Sequence, residues 1–422
     1  MNVDILLLGL IILIGFVGNI LFKYTKVPES LFMIVIGLVV GPVFHVVDQT
    51  LFMSYIPLVS TLTLIIILLD SGFSLSISRT VRSLGKAVRL TLLVLLFSTV
   101  FIGGFMYLMG WSLLHALFIG TISSGTTTIV VSYLLTRFSI PDGVRDALIL
   151  ESIFNDVTLI TMSVILLQLI QLQTVSLSQI VMTFVEPIAI AVLLGVVFMV
   201  AWVSVLSRIY RGEELVYVFT LGVLFILYFL VEAMGGIGAL AILVFSLTLG
   251  NLPLLIDAIQ DELILRKHVL SEYQVETFQF LRERFQEITR QIKNSQINFS
   301  FFIKNFFFVY LGIIFDVENL NVTSGLIALG IIALMVISRY VSVRVAARFD
   351  PEFKQSTTLM TLMIARGFTA TFAALMPSSE GVEIPRLKEI TLIMVLLTTL
   401  ITITGAIVYE RRVQRGQAPP SP

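Results

Sequence analysis

Thirteen stretches of this chain are each long enough to cross a bilayer as a helix, which takes roughly 20 mostly apolar residues. They lie near 3–22, 27–47, 52–71, 88–109, 112–135, 144–170, 178–205, 215–233, 235–252, 298–315, 323–347, 356–377 and 388–409. They are unbroken apolar runs, not the alternating segments of about ten residues that build a transmembrane barrel. The expected fold class is therefore an all-α polytopic membrane protein with 13 transmembrane helices, and lipid is its surroundings. Charge is scarce to match. Only 13% of the 422 residues are charged, against about 25% in soluble domains, which excludes a soluble globular enzyme. Lys and Arg (27) equal Asp and Glu (27), so no basic excess exists to meet phosphate and no nucleic-acid partner is expected. The absence of cysteine removes disulfides, thiolate metal sites and cysteine nucleophiles. The leader Met1-Asn2-Val3-Asp4 has no positive region, so the first stretch reads as a span and not a signal peptide.

The basic residues give an orientation. With the C-terminus inside and the N-terminus outside, 21 of the 27 Lys and Arg fall in inside loops and two, Arg386 and Lys388, outside. Four lie within spans: Lys304, Arg339, Arg344 and Arg366. Residues 254–297 stand apart. Phe278, Leu281, Phe285, Ile288 and Ile292 recur at spacings of three and four with charges between them, the pattern of an amphipathic cytoplasmic helix. Such a helix lies on the membrane or the bundle, or forms a short seam across a dimer. Residues 413–422 read as a disordered tail.

Ionisable groups inside a bilayer cost at least a few kcal/mol each and so mark function by default. The sixth span reads Leu150-Glu151-Ser152-Ile153-Phe154-Asn155-Asp156. Ser152 and Asp156 are i,i+4 neighbours on one helix face, and Glu151 and Asn155 share the adjoining one. These oxygens suit a small hard cation, or a proton. Glu151 has a structural alternative as the buried partner of Arg339 or Arg366. Asp70, Glu186 and Lys304 lie near span ends, where such side chains snorkel to the interface. Gly37 and Gly41 form a Gly-x-x-x-Gly pair, a weak helix-contact signal.

The fifth span contains Ser123-Ser124-Gly125-Thr126-Thr127-Thr128, and the twelfth Ala365-Arg366-Gly367-Phe368-Thr369-Ala370-Thr371. Small, polar, glycine-marked residues in mid-span are what an interrupted transmembrane helix looks like. Tight helix packing would account for either stretch alone. With the seventh span as a linker, however, both interruptions fall fifth in their half, and the halves enter from opposite sides. The expectation is two inverted six-helix repeats with interrupted helices 5 and 12 and a site between them.

The run Leu150–Asp156 resembles the sixth-helix motif of the monovalent cation:proton antiporters, in the NhaP/NHE sodium–proton exchanger branch. Asn305–Gly312 resembles that branch's tenth-helix motif, Ser338-Arg339-Tyr340 its eleventh-helix arginine, and Arg366-Gly367 the pair in its interrupted twelfth helix. The resemblance covers roughly 1–412. It implies an NhaA-like antiporter fold with scaffold or dimer helices at 1–80, 213–253 and 298–317. A mobile core would comprise 85–172 and 322–412, joined by a linker helix at 175–210. It implies that Asp156 takes a cation or a proton, that Ser152 and Thr126 help to coordinate the cation, and that Arg339 holds Glu151. Asn155 implies electroneutral, one-for-one exchange.

The same resemblance implies a homodimer in the cytoplasmic membrane, no cofactor, and no enzymatic activity. The transported ions would be protons and Na+, with K+ or Li+ as alternatives. One departure bears on that choice: Thr126-Thr127-Thr128 stands where the family usually has Thr-Asp-Pro, which resembles the potassium-efflux branch and keeps a potassium/proton antiporter open. A cation channel would need a continuous polar pore, whereas one buried carboxylate between interrupted helices suits a carrier. An intramembrane protease would need a second aspartate, and Asp70 lies at a different depth.

Overall fold

The computed structural model describes residues 9, 13, 16, 20, 29–45, 55–74, 77–127, 131, 142–171, 177–209, 215–265, 272–314 and 322–414. All regular structure among them is helical. The first span expected at 3–22 and the tail lie almost wholly outside these residues, as does Thr128 of the fifth span. Among the described residues six helices are long and apolar enough to cross a membrane. They become seven if Gly238–Gly250 and Leu252–Ala258, which meet at 65°, form one bent span.

The chain divides into two compact units. One comprises 62–79 and 178–303. It holds most of helix α2 (Ile56–Ser74) and nearly all of α6 (Leu177–Ile209), with α7 (Val216–Ala233), α8 (Gly238–Gly250) and α9 (Leu252–Leu265). It also takes most of α10 (Glu272–Ile313). Trp202 of α6 is its hub. Its indole N–H donates to Thr220 of α7 at 3.1 Å, and its ring packs on Phe245 of α8 and Phe285 of α10 at 6.2 and 6.3 Å. Placing the indole N–H against a hydroxyl lets a large ring be buried without orphaning a donor.

Helix α10 corrects the expected separate element over 254–297. Residues up to Leu265 belong to α9, and Glu272–Ile313 is one helix of 42 residues that passes position 297 unbroken. The polar run Asn294-Ser295-Gln296 looks like a boundary, but it contains no breaker. No proline or glycine occurs in α10 before Gly312, so nothing stops propagation. Phe285, Ile288 and Ile292 are buried in the single chain, so the apolar stripe is covered by this chain itself at those positions. Arg284 donates to the carbonyls of Leu206 and Ser207 at 2.9 and 3.4 Å, placing a cation on the last turn of α6, where unpaired carbonyls collect.

The other unit comprises 1–61, 80–177 and 304–422. Its helices are α1 (Glu29–Leu38), α3 (Ile77–Leu108), α4 (Leu113–Ile122) and α5 (Asp142–Gln171). After the end of α10 follow α11 (Val322–Ala346), short α12 (Glu352–Gln355) and α13 (Thr357–Leu362), then α14 (Phe368–Ser379) and α15 (Leu387–Gln414). Leu90, Val94, Leu148, Val343, Met360 and Ala406 belong to one buried cluster that draws on α3, α5, α11, α13 and α15. At the edge of the unit, Lys86 and Arg89 of α3 pair with Glu352 and Asp350 at 2.9 and 2.6 Å.

Gly37 and Gly41 do mark a helix contact. A π-helical turn, Val39–Val43, follows α1, and together they meet the end of α10. A Cβ at Gly37 would strike the Val309 carbonyl, and one at Gly312 the Ile34 carbonyl and, at 2.8 Å, the Gly37 Cα. With backbone on both sides, neither helix has a side chain to move aside. We expect Gly312→Val to cost about 1–3 kcal/mol, as for overpacked cores, seen as a lower melting temperature in detergent. Gly222→Ala, which meets nothing within 4 Å, should melt like the parent.

Candidate ion-binding site

Helix α5 carries both intramembrane carboxylates, and helical geometry sends them different ways. Glu151 and Asp156 are five residues apart, about 140° around a helix of 3.6 residues per turn. Glu151 is fully buried and accepts two bonds from Arg339 of α11, Nη1 to Oε1 at 2.6 Å and Nη2 to Oε2 at 2.8 Å. This two-pronged geometry is the strong form of the pair. The Arg339 Nε donates to the Met360 carbonyl at 3.0 Å. Asn155, one turn on from Glu151, donates to Glu151 Oε1 at 2.5 Å. Thr126 joins at 3.4 Å to both: its hydroxyl donates to Glu151 and accepts from Asn155.

Asp156 is 5% exposed, and its Oδ1 accepts a 2.6 Å bond from the Thr369 hydroxyl of α14. The sequence by itself gives Thr369 no role. Its only sequence signal is its place two residues after Gly367. The Ser152 hydroxyl donates to the Ile149 carbonyl at 2.8 Å, within its own helix. Arg366 is not matched to a carboxylate. Its Nη2 donates to the Ser123 carbonyl, while its Nε and Nη1 are buried without a hydrogen-bond partner.

Helix α4 stops at Ile122, and residues 125–127 are not helical. Helix α13 stops at Leu362, and α14 restarts at Phe368. The two unwound stretches touch: the Thr127 N–H donates to the Ala365 carbonyl at 2.9 Å. Gly367 allows this approach, since a Cβ there would lie 2.7 Å from the Thr127 Cβ. A broken helix frees polar backbone groups that apolar surroundings cannot satisfy, and here α15 supplies the partners. Thr402 and Thr398 accept from the Ile364 and Arg366 N–H groups at 3.2 and 3.0 Å, while the Thr399 hydroxyl donates to the Val395 carbonyl of its own helix at 2.7 Å. The spacing matches: four residues along a helix rise about 6 Å, close to the 6.5 Å between alternate residues of extended chain.

Among the described residues no group of three or more His, Asp or Glu side chains is gathered to hold a metal.

The fold and site define a class: a helical membrane protein with a buried carboxylate facing the junction of two broken helices. The chain belongs to the sodium/hydrogen exchanger family, which it matches over residues 9–408. That makes it a transporter and not an enzyme. Its fold is similar to that of the sodium proton antiporter MjNhaP1 from Methanocaldococcus jannaschii at pH 8, with a TM-score of 0.75 at 20% identity. The match covers 98% of this chain and 97% of that one. A map of the same antiporter from electron microscopy matches with a TM-score of 0.68 at 19% identity, covering 98% and 96%.

Proposed function

We propose that the protein is a secondary-active antiporter exchanging Na+, or Li+ or K+, for protons, with Asp156 binding one or the other. The observation that carries this reading is the placement of Asp156: buried in mid-helix, and bonded to a hydroxyl at the start of a resumed half-helix. A carboxylate there is costly when bare, so it gains by taking a cation or a proton, and it takes one at a time. If the core crosses only when Asp156 is neutralised, the two fluxes are coupled.

In this reading Glu151 and Arg339 are structural, and Asn155, being uncharged, adds no second proton, so exchange is one-for-one. Ser152 and Thr126 stay as candidate cation ligands through their oxygen lone pairs. The proposed frame is thirteen spans in two inverted repeats, a core of spans four to six and eleven to thirteen moving against a scaffold, and a homodimer in the cytoplasmic membrane with its N-terminus outside. Thr127 favours a test of potassium beside sodium.

The test is exchange in proteoliposomes holding a pH dye. After an imposed proton gradient, added sodium or lithium is expected to move the dye, at a rate that does not respond to a clamped membrane potential. Movement by potassium alone would assign the potassium variant. Silence with all three cations would end the antiporter reading.

A further inference from the structure

The hydroxyl on Asp156 comes from a residue that leaves its usual bonding unused. A helical threonine commonly donates back to the carbonyl three or four residues earlier. Thr371 does so, to Gly367 at 3.1 Å. For Thr369 those carbonyls belong to Ala365 and Arg366, which precede the helix, and the Ala365 carbonyl already accepts from the Thr127 N–H at 2.9 Å. The Thr369 hydroxyl instead donates away from its own helix, to Asp156 at 2.6 Å. Its backbone is held as well: the neighbouring Phe368 ring packs edge-on against Phe307 at 4.6 Å and stacks on Phe372 at 5.9 Å.

We propose that Thr369 sets the competition between proton and cation at Asp156. The proposal rests on the antiporter reading above and adds a residue to it. A hydroxyl has one proton to donate and two lone pairs. With Asp156 bare, it donates and favours the charged carboxylate over the protonated acid. When a cation arrives, rotation about the C–O bond turns the oxygen toward the ion as a neutral ligand. The same group therefore opposes protonation and assists the cation. Thr369 also lies in the first turn of α14, whose unpaired N–H groups favour negative charge nearby.

The other charged groups on elements packed around Asp156 are few. Glu151 on its own helix and Arg339 of α11 are bound to each other, and Asp142, Arg145 and Asp146 of that helix lie ten or more residues before Asp156. Arg366 precedes α14, which itself has no ionisable side chain. Helix α4 offers only His115 in its first turn, and Glu352 of α12 is tied to Lys86.

The test compares wild type, Asp156→Asn, Thr369→Val and Thr369→Ser in the dye-loaded proteoliposomes, scanning pH and sodium concentration. Valine keeps the branched shape and loses the hydroxyl. For T369V the pH midpoint of sodium-dependent exchange should rise by about one unit, a tenfold change in proton affinity. The apparent KM for sodium should rise about tenfold, the size of losing one hydrogen bond to a charged group, with the maximal rate little changed. T369S should track wild type. If T369V does not give monodisperse protein, Thr369→Ala carries the same expectation. The proposal is overturned if T369V matches wild type in midpoint and KM, if only its maximal rate falls, or if T369S behaves like T369V. Silent wild-type vesicles, or a D156N protein that exchanges normally, overturn the antiporter reading instead, and this proposal with it.

Discussion

Asp156→Asn is expected to reduce cation-driven proton movement to the level of empty vesicles while the protein folds and melts as before. Asparagine has nearly the shape of aspartate, and its carbonyl oxygen can still accept the Thr369 bond seen at 2.6 Å. What it lacks is a titratable charge, and with it any means of holding either a proton or a cation. Stability should not fall, because a carboxylate at 5% exposure carries a desolvation cost that a neutral amide largely avoids. On the proposed mechanism protons compete for the same oxygens in wild type, so exchange at fixed sodium should decline as pH falls. In the variant no such decline is left to see. A D156N protein that retained sodium-dependent, pH-dependent dye movement would remove Asp156 from the mechanism.

Arg339→Met is expected to give the largest loss of stability. Glu151 and Arg339 are 0% and 1% exposed as side chains and meet at 2.6 Å. Removing one partner of such a pair strands the other charge, at a typical cost of about 3–5 kcal/mol. Asn155 and Thr126 would be left as neutral donors to the stranded carboxylate, and the Met360 carbonyl would lose its donor. The double variant Glu151→Gln/Arg339→Met removes both charges and should recover much of the loss, since apolar or neutral replacement of a whole buried pair is often near neutral. Melting in detergent followed by size exclusion measures both. An R339M protein as stable as its parent would mean that the pair contributes little.

Much of the site was legible because charge in an apolar segment is conspicuous. Glu151, Asp156, Arg339 and Arg366 stood out against their spans, and Gly125 and Gly367 marked the breaks. What stayed hidden was carried by residues that look ordinary. Thr369 is one threonine among several, and its bond to Asp156 depends on two distant segments meeting, a tertiary fact. Thr398 and Thr402 sit in an apolar span and read as tolerated polarity, since a helical threonine hides its hydroxyl on its own backbone. The partner of Glu151 was open between two arginines, because sequence spacing says nothing of which distant helix arrives beside it. The amphipathic segment and the apolar run after it are one helix, Glu272–Ile313, because no breaker separates them, and a change of pattern is not a helix end. For Gly37 and Gly41 the pattern was visible but its partner, Gly312 on a helix some 270 residues away, was not.

The threonines of α15 have a consequence for energetics. Because Thr398 and Thr402 accept from freed N–H groups of the unwound stretch, that stretch does not need an ion to hold it open. The entropy of fixing it is spent once, when the chain folds, and not at each binding event. On the proposed mechanism, a proton, which organises nothing, and a metal cation, which would otherwise have to order its ligands, would then meet the same ready-made cradle. Removing these hydroxyls would turn part of every cation's binding energy into the work of ordering backbone, a handicap that falls on the cation and spares the proton.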